Sequence, residues 1–340
     1  CVMAPSADAA DNVNSFVTED GYTIEVPGYD NITFKEGEKD GDAITASGYA
    51  GIATGTEKIA DSNMTYAAQF AGAPEGSAYA YITGFSDGTI AVKQTNSALT
   101  GYVGSGEKTS NLVMKDGKFA DGTDFYAFLI PTGEDKTVTL EIIYAGTETV
   151  TETVKIAFDV TIGKVINSVA DITAEESLTI SAATTWILNK DIVLDKAVSI
   201  SNELTIAASA NGGSLTINGT DPAGIVINST GADAAITVVG TTLTVNSAEK
   251  ATQNMIEALG SNKLTIAGTD GAAINLNMDG SVSVNQADAN AMTVSLEKST
   301  LKVTGNGGIQ NVLIKAVEST VDASGIGNAS FTAYFDLTKS

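Results

Sequence analysis

The first half of the chain alternates apolar and polar residues in short stretches. Alternation with a period of two is typical of β-strands that bury one face. Gly, Asp and Asn residues, which favour turns, separate these stretches, as in an antiparallel β-sandwich. We therefore predict such a sandwich over residues 15–166. Its strands are expected at residues 22–26, 77–83, 89–93, 125–130, 137–144 and 149–162.

The second half repeats triplets of the form apolar–polar–apolar. Every second triplet follows its predecessor after about 20 residues, which is the length of one coil in a solenoid. We predict a parallel β-helix over residues 167–330, in which each coil carries two or three short strands and apolar side chains stack inwards. The triplets begin at Leu178, Val198, Leu204, Leu215, Ile225, Ile236, Leu243, Leu264, Ile274, Val282, Met292, Leu301 and Val312.

This repeat resembles the right-handed parallel β-helix of pectate lyases and of many bacterial adhesins. The resemblance lies in the periodicity of residues 167–330 and not in a functional motif. It implies an all-β chain in which coils stack by parallel strand pairing. Asn often follows a triplet, and stacked Asn side chains can hydrogen bond along the axis of such a stack. The residues concerned are Asn218, Asn228, Asn246, Asn277 and Asn285.

One segment interrupts the triplets. Residues 247–260 (SAEKATQNMIEALG) begin with a serine suited to an N-cap, continue with good helix formers and end with a glycine. Met255, Ile256 and Leu259 would form the apolar face. We predict a short α-helix here, inserted between coils and packed over the stack.

Aromatic residues separate the two halves. Eight of the ten Phe and nine of the ten Tyr precede residue 160, whereas Trp186 is the only aromatic residue between Asn167 and Ser330. Cores filled with Tyr and Phe differ from stacks of Ile, Leu and Val. This change supports a domain boundary after residue 166.

The C-terminal segment, residues 331–340, forms a further predicted strand. Its apolar residues Phe331, Ala333, Phe335 and Leu337 alternate with polar ones. The strand could complete the sandwich, cap the last coil, or pair with the open edge of a neighbouring subunit by strand addition. A polymer of the third kind would resemble bacterial fimbrial subunits, including fimbrillin-type lipoproteins. Those are usually matured by cleavage at an Arg, and this chain contains no Arg.

The first residue, Cys1, resembles the lipid-bearing cysteine of a mature bacterial lipoprotein. Residues 1–14 (CVMAPSADAADNVN) have the small and polar composition of a tether between an anchor and a folded domain. This resemblance implies lipid attachment at Cys1 and an extracellular position at the cell surface. The chain has one Cys in total, so no disulfide can form within it.

The charge balance restricts the partners. Lys and Arg number 18 and Asp and Glu 41, which gives a formal net charge of -23. Such a chain repels nucleic-acid phosphates and anionic lipid headgroups. We therefore expect no nucleic-acid partner, and membrane contact only through a lipid on Cys1.

Composition also removes most catalytic chemistry. The chain has no His and no Arg, so it cannot build a Ser-His-Asp triad or a histidine metal site. Pectate-lyase-like enzymes typically use an Arg or Lys base beside calcium-binding carboxylates, and related hydrolases use clustered Asp with His and Arg. In residues 167–330 the carboxylates are scattered singly. We expect a protein that is not an enzyme, with a polysaccharide lyase or hydrolase as an alternative.

Two weaker candidate sites concern calcium and sugar. Asp116, Asp121 and Asp124 lie beside glycine turns, as do Asp40 and Asp42, but neither group matches an EF-hand loop. Because Asp and Gly also favour turns on conformational grounds, we expect no cofactor beyond this calcium candidate. Trp186 could stack on a sugar ring, or it could seal the apolar end of the stack next to Ile187 and Leu188.

These features together favour a non-catalytic extracellular structural protein. We expect its subunits to assemble with copies of themselves into a pilus-like surface filament or layer with an adhesive role. The alternative is a monomeric surface lipoprotein, an adhesin that binds glycans or host proteins through the flank of the β-helix.

Overall fold

The structure is a computed structural model. It describes residues 12–19, 21–39, 41–59, 61–62, 64–84, 90–94, 112–113, 125–144, 150–172, 178–279, 284–285, 291–327 and 331–339. The chain divides into two compact units, Cys1–Gly163 and Lys164–Ser340.

Eleven strands begin in the first unit. They are β1 (Asn12–Val13), β2 (Ser15–Val17), β3 (Thr23–Glu25), β4 (Asn31–Lys35), β5 (Ile44–Gly51), β6 (Tyr79–Thr83), β7 (Ile90–Gln94), β8 (Leu112–Val113), β9 (Tyr126–Leu129), β10 (Thr137–Tyr144) and β11 (Val150–Ile166). The last three residues of β11 belong to the second unit. A single short helix, α1 (Tyr66–Gln69), is described in this unit, and the hydroxyl of Thr65 accepts a hydrogen bond from the backbone N–H of Ala68 at its start.

The strands of the first unit form two sheets. One has the order β1-β4-β5-β11-β10-β7-β8, and the other has the order β2-β3-β6-β9. The pairing is antiparallel except between β5 and β11, which run parallel. That pair departs from the fully antiparallel sandwich predicted from sequence. The reason is that β6 to β10 intervene between the two strands, and a connection of that length permits a parallel return.

The two sheets share one apolar core. Ile32 and Phe34 alternate with exposed or half-buried residues along β4 and are fully buried. Phe128 of β9 and Phe158 of β11 meet edge to face, with their ring centroids 6.3 Å apart. Because these two strands belong to different sheets, the ring contact lies across the layers. The first unit is therefore a β-sandwich.

The second unit contains the remaining strands and a 3-10 turn, η1 (Val169–Asp171). The strands are β12 (Leu178–Ile180), β13 (Thr184–Leu188), β14 (Ile192–Leu194), β15 (Val198–Ile200), β16 (Glu203–Ala208), β17 (Ser214–Asn218), β18 (Ile227–Ser229), β19 (Ala234–Val239), β20 (Thr242–Asn246), β21 (Ile256–Ala258), β22 (Leu264–Thr269), β23 (Ala273–Met278), β24 (Val284–Asn285), β25 (Met292–Glu297), β26 (Thr300–Gly305), β27 (Ile309–Val317), β28 (Thr320–Ile326) and β29 (Phe331–Thr338).

These strands stack into three parallel sheets, to each of which a full coil contributes one strand. The first sheet is β13-β16-β19-β22-β25-β27-β29, the second is β12-β15-β18-β21, and the third is β14-β17-β20-β23-β26-β28. β24 pairs in parallel with the start of β27. The predicted parallel β-helix is confirmed.

Inward-facing side chains of the first sheet form columns from coil to coil. In one column Leu204, Ile236, Ile266, Val294 and Ile314 are joined by strand register, and all five are buried. The residues between them on each strand point outwards, as the triplet pattern requires. Each coil therefore rests on the next through apolar contacts.

Coil length is less regular than the sequence suggests. Leu204 pairs with Ile236, 32 positions later, whereas Ile314 pairs with Phe335, 21 positions later. The longer coils carry loops between their strands. One such loop precedes β18, so this strand begins at Ile227 and not at Ile225, where the triplet pattern placed it.

The helix predicted for residues 247–260 is wrong. The segment is a loop that leads into β21, where Ile256 and Ala258 are buried on either side of Glu257. Ile256 pairs in register with Ile227 of β18, and Met255 and Ala251 fill the core. Pairing with the neighbouring coil satisfies the backbone and buries these residues, and this outweighs a modest helix propensity.

The predicted asparagine stack is present on the third sheet. The side-chain amide of Asn277 donates to Asn246 Oδ1, and that of Asn246 donates to Asn218 Oδ1, both at 2.7 Å. Asn218 in turn donates to the Asp195 carboxylate at 2.8 Å, and the Thr304 hydroxyl donates to Asn277 Oδ1 at 2.6 Å. Because a carboxylate only accepts, Asp195 gives the whole ladder one direction.

Candidate assembly surface on the last coil

The C-terminal strand β29 continues the first sheet of the solenoid. It pairs in parallel with β27, so that Ala333 lies opposite Val312, Phe335 opposite Ile314 and Leu337 opposite Ala316. Phe331 is in register with Ile309. Of the three placements considered from sequence, the structure shows the one in which the strand covers the last coil.

The inward columns reach the surface at β29. Phe335 is 49% exposed and Leu337 51% exposed, although their neighbours Ile314 and Ala316 on the preceding coil are fully buried. Tyr334, on the opposite face of the strand, is 54% exposed. An apolar core thus ends in partly solvated side chains, because no further described coil follows to cover them.

β29 is also the edge of its sheet. Among the described strands β27 is its partner, and the backbone groups on its other side form an edge that can accept another strand. The third sheet likewise ends on an edge strand, β28, but its pairing slips between Lys302 and Thr304. Val321 and Ile326 of β28 pack onto the core. β29 runs in continuous register from Ala333 to Thr338 and is the more regular template.

The last coil carries little net charge. From β27 to the end of β29 the charged residues are two lysines, Lys315 and Lys339, and three carboxylates, Glu318, Asp322 and Asp336. Lys315 is in register with Asp336, and Lys339 Nζ lies 3.7 Å from Glu318 Oε1. In a chain of net charge -23, this end is where two copies would repel each other weakly.

Trp186, the predicted sugar contact, lies inside the solenoid core and is 4% exposed. It pairs in register with Lys164 on one side and with Ile206 on the other. Its ring therefore fills the first coil, as in the capping interpretation, and does not form an open stacking platform.

A buried carboxyl group in the first unit was missed by sequence reasoning. Asp30 is fully buried, and its Oδ1 accepts a hydrogen bond from the Gly51 N–H at 2.7 Å. Its Oδ2 has no hydrogen-bond partner among the described residues. Burial raises the pKa of Asp30 well above its ordinary range, and the nearby Glu57 charge raises it further. An aspartate in a turn gives no sequence signal that distinguishes this environment from an exposed one.

The other predicted site residues do not form a site in the described part of the chain. Cys1, Asp40, Asp116, Asp121 and Asp124 lie outside the described residues. Asp42 is exposed and accepts a hydrogen bond from the Lys39 backbone N–H at 3.0 Å. Within the described ranges no group of three or more acidic or cysteine side chains is placed to hold a metal ion.

Comparison with known proteins adds no relationship. No family model, curated protein or solved structure matches the chain. In the part of the chain that the structure describes, no helix has the length and apolar character needed to cross a membrane.

Proposed function

We propose that this chain is a non-catalytic structural protein of the cell surface that assembles with copies of itself. The observation that supports this most directly is the end of the solenoid, where β29 combines an open strand edge with half-exposed Phe335 and Leu337. The assembled form would be a filament or layer outside the cell. A lipid on Cys1 would hold the chain at the membrane.

The energetics favour covering this surface. Full burial of a Leu or Phe side chain stabilises by about 1.5–3 kcal/mol, so covering the exposed halves of Phe335 and Leu337 is worth about 1 kcal/mol each. Strand addition adds backbone hydrogen bonds, which supply affinity in edge-to-edge recognition. Together these gains support association at high local concentration, such as that on a cell surface.

The non-catalytic part of the proposal follows from composition. Without His or Arg, general acid–base chemistry would depend on carboxylates and lysines alone. We expect purified protein to show no turnover of polygalacturonate, alginate or peptidoglycan, with or without calcium. Reproducible release of unsaturated or reducing ends, lost when a single Asp is changed to Asn, would instead establish a polysaccharide lyase or hydrolase.

One observation favours the alternative of a monomeric adhesin. On the outer face of the first sheet, Thr185, Thr205, Thr237, Ala267 and Ser295 follow one another in register. This column of small uncharged side chains makes a flat strip on a strongly acidic protein. Such a strip could lie against a glycan or a host protein without charge repulsion.

Self-association of matched variants tests the proposal. We would measure the mass of the parent by analytical ultracentrifugation over a range of concentrations and image it by negative-stain microscopy. Leu337→Asp places a charge on the β29 surface, while Leu259→Asp places the same charge at a 61% exposed leucine elsewhere on the solenoid. We expect the parent and Leu259→Asp to associate, and Leu337→Asp to need at least about tenfold more protein to do so. A parent that stays monomeric at its highest soluble concentration would contradict self-assembly and favour the adhesin.

A further inference from the structure

The two ends of the solenoid are not complementary. At the first coil, β13 is already paired on its outer side with residues 164–166 of β11. The first strands of the other two sheets, β12 and β14, are three residues long. β29 has eight residues. Head-to-tail stacking of two solenoids would therefore not offer β29 an unpaired strand of matching length.

We infer that β29 pairs with β29 of a second copy, antiparallel, around a two-fold axis that passes near Tyr334 and Phe335. This rests on the proposed function, because it specifies how copies of the chain associate. A two-fold contact uses the same surface on both copies, so the strand length and apolar pattern match by construction. The occupant of the open edge is then a second solenoid end.

The side-chain pattern restricts the register of this pairing. Directly opposed residues of an antiparallel pair point to the same face of the sheet. The core-side residues Phe335 and Leu337 therefore stay on one face in both copies only when the axis passes through a pair of identical residues. Centring the pair on Asp336 would oppose two carboxylates, which is unfavourable. Centring it on Tyr334 or Phe335 retains most of β29 and places Asp336 opposite Thr332 or Tyr334.

The near-neutral last coil allows this approach. Copies that met through other surfaces would bring together two chains of net charge -23. At this end Lys315 neighbours Asp336, and Lys339 neighbours Glu318. The contact joins the inward columns of the two solenoids into one continuous core. It closes as a pair, so a filament or layer would need a second contact outside β29.

Single cysteines distinguish this pair from head-to-tail association. In the full chain with Cys1→Ser, Tyr334→Cys and Phe335→Cys are each oxidised and run on non-reducing gels. Opposed Cα atoms in an antiparallel pair lie about 4.5–5.5 Å apart, which suits a disulfide. We expect one of the two variants to form dimers at least about tenfold more efficiently than Val193→Cys, an exposed control on β14, because pairing raises the effective thiol concentration.

Hydrogen exchange on the unmodified chain gives a second readout. A head-to-head pair slows exchange of β29 amides as concentration rises and leaves those of β12 and β14 unchanged. Protection at both ends of the solenoid, or association without any dimer through position 334 or 335, would overturn the head-to-head arrangement and leave self-assembly standing. A chain that stays monomeric by ultracentrifugation would contradict self-assembly itself, and the pair with it.

Discussion

Trp186 and Leu337 lie at opposite ends of one inward-facing column of the solenoid. Strand register links Trp186 to Ile206 and Val238, and then through Gly268, Leu296 and Ala316 to Leu337. Trp186 is 4% exposed and Leu337 51% exposed. One end of the column is thus sealed within the chain, and the other is completed only by whatever covers β29.

This asymmetry predicts different costs of truncation at the two ends. Trp186→Ala removes a large buried side chain and should lower the free energy of unfolding by about 3–5 kcal/mol. Leu337→Ala removes a half-exposed one and should cost about 1 kcal/mol or less in dilute monomer. Chemical denaturation followed by circular dichroism measures both. Equal losses would show that β29 is as deeply integrated in the monomer as the first coil.

The outcome of the sequence analysis can be traced to particular residues. Ile266 and Val294 lie in triplets whose period of two is set by strand geometry, so their inward direction was predictable. The loop at residues 247–255 was not, because Ile256 is drawn into β21 by its pairing with Ile227 in the preceding coil, and such pairing leaves no local pattern. Local propensity is a weak guide wherever a neighbouring coil supplies the hydrogen bonds.

The same limit applies to the candidate site. Alternation along residues 331–337 predicted a strand with Phe335 and Leu337 on one face. Whether that face would be buried depended on the strand's partner. Sequence alone left three partners open, because an edge position is a property of topology and not of composition.

The asparagine ladder predicts a position-specific stability effect. Asn246 both donates to Asn218 and accepts from Asn277, each at 2.7 Å. Asn246→Ala removes both hydrogen bonds and should cost about 1–3 kcal/mol. Asn228→Ala is the matched control, since no side-chain hydrogen bond is described for this half-buried asparagine. If thermal unfolding shows equal shifts for the two variants, the ladder contributes nothing beyond the local effect of losing an amide.

Two glycines separate backbone strain from steric contact. Gly305, at the end of β26, has φ of +100°, and a Cβ there would lie 1.6 Å from the Met278 carbonyl oxygen. Gly271 has φ of +83° with no atom within 4 Å of such a Cβ. Gly271→Ala should cost about 1–2 kcal/mol through conformation alone, and Gly305→Ala about 3 kcal/mol or more because overpacking is added. Similar melting temperatures for the two variants would contradict the close approach of β26 to β23.

The buried Asp30 predicts a pH dependence of the first unit. Its raised pKa means that the folded chain holds a proton on Asp30 at pH values where the unfolded chain, with a pKa of about 3.9, has lost it. Stability from this group therefore falls as pH rises above about 4, with a slope of at most about 1.4 kcal/mol per pH unit, until the folded-state pKa is passed. Asp30→Asn cannot ionise and removes this loss. It should match the parent near pH 4 and become increasingly more stable towards pH 8. Denaturation of both proteins across this range tests the prediction, with Asp61→Asn, an exposed carboxylate of the same unit, as the control for net charge. A constant difference between Asp30→Asn and the parent at every pH would show that Asp30 is ionised in the folded chain.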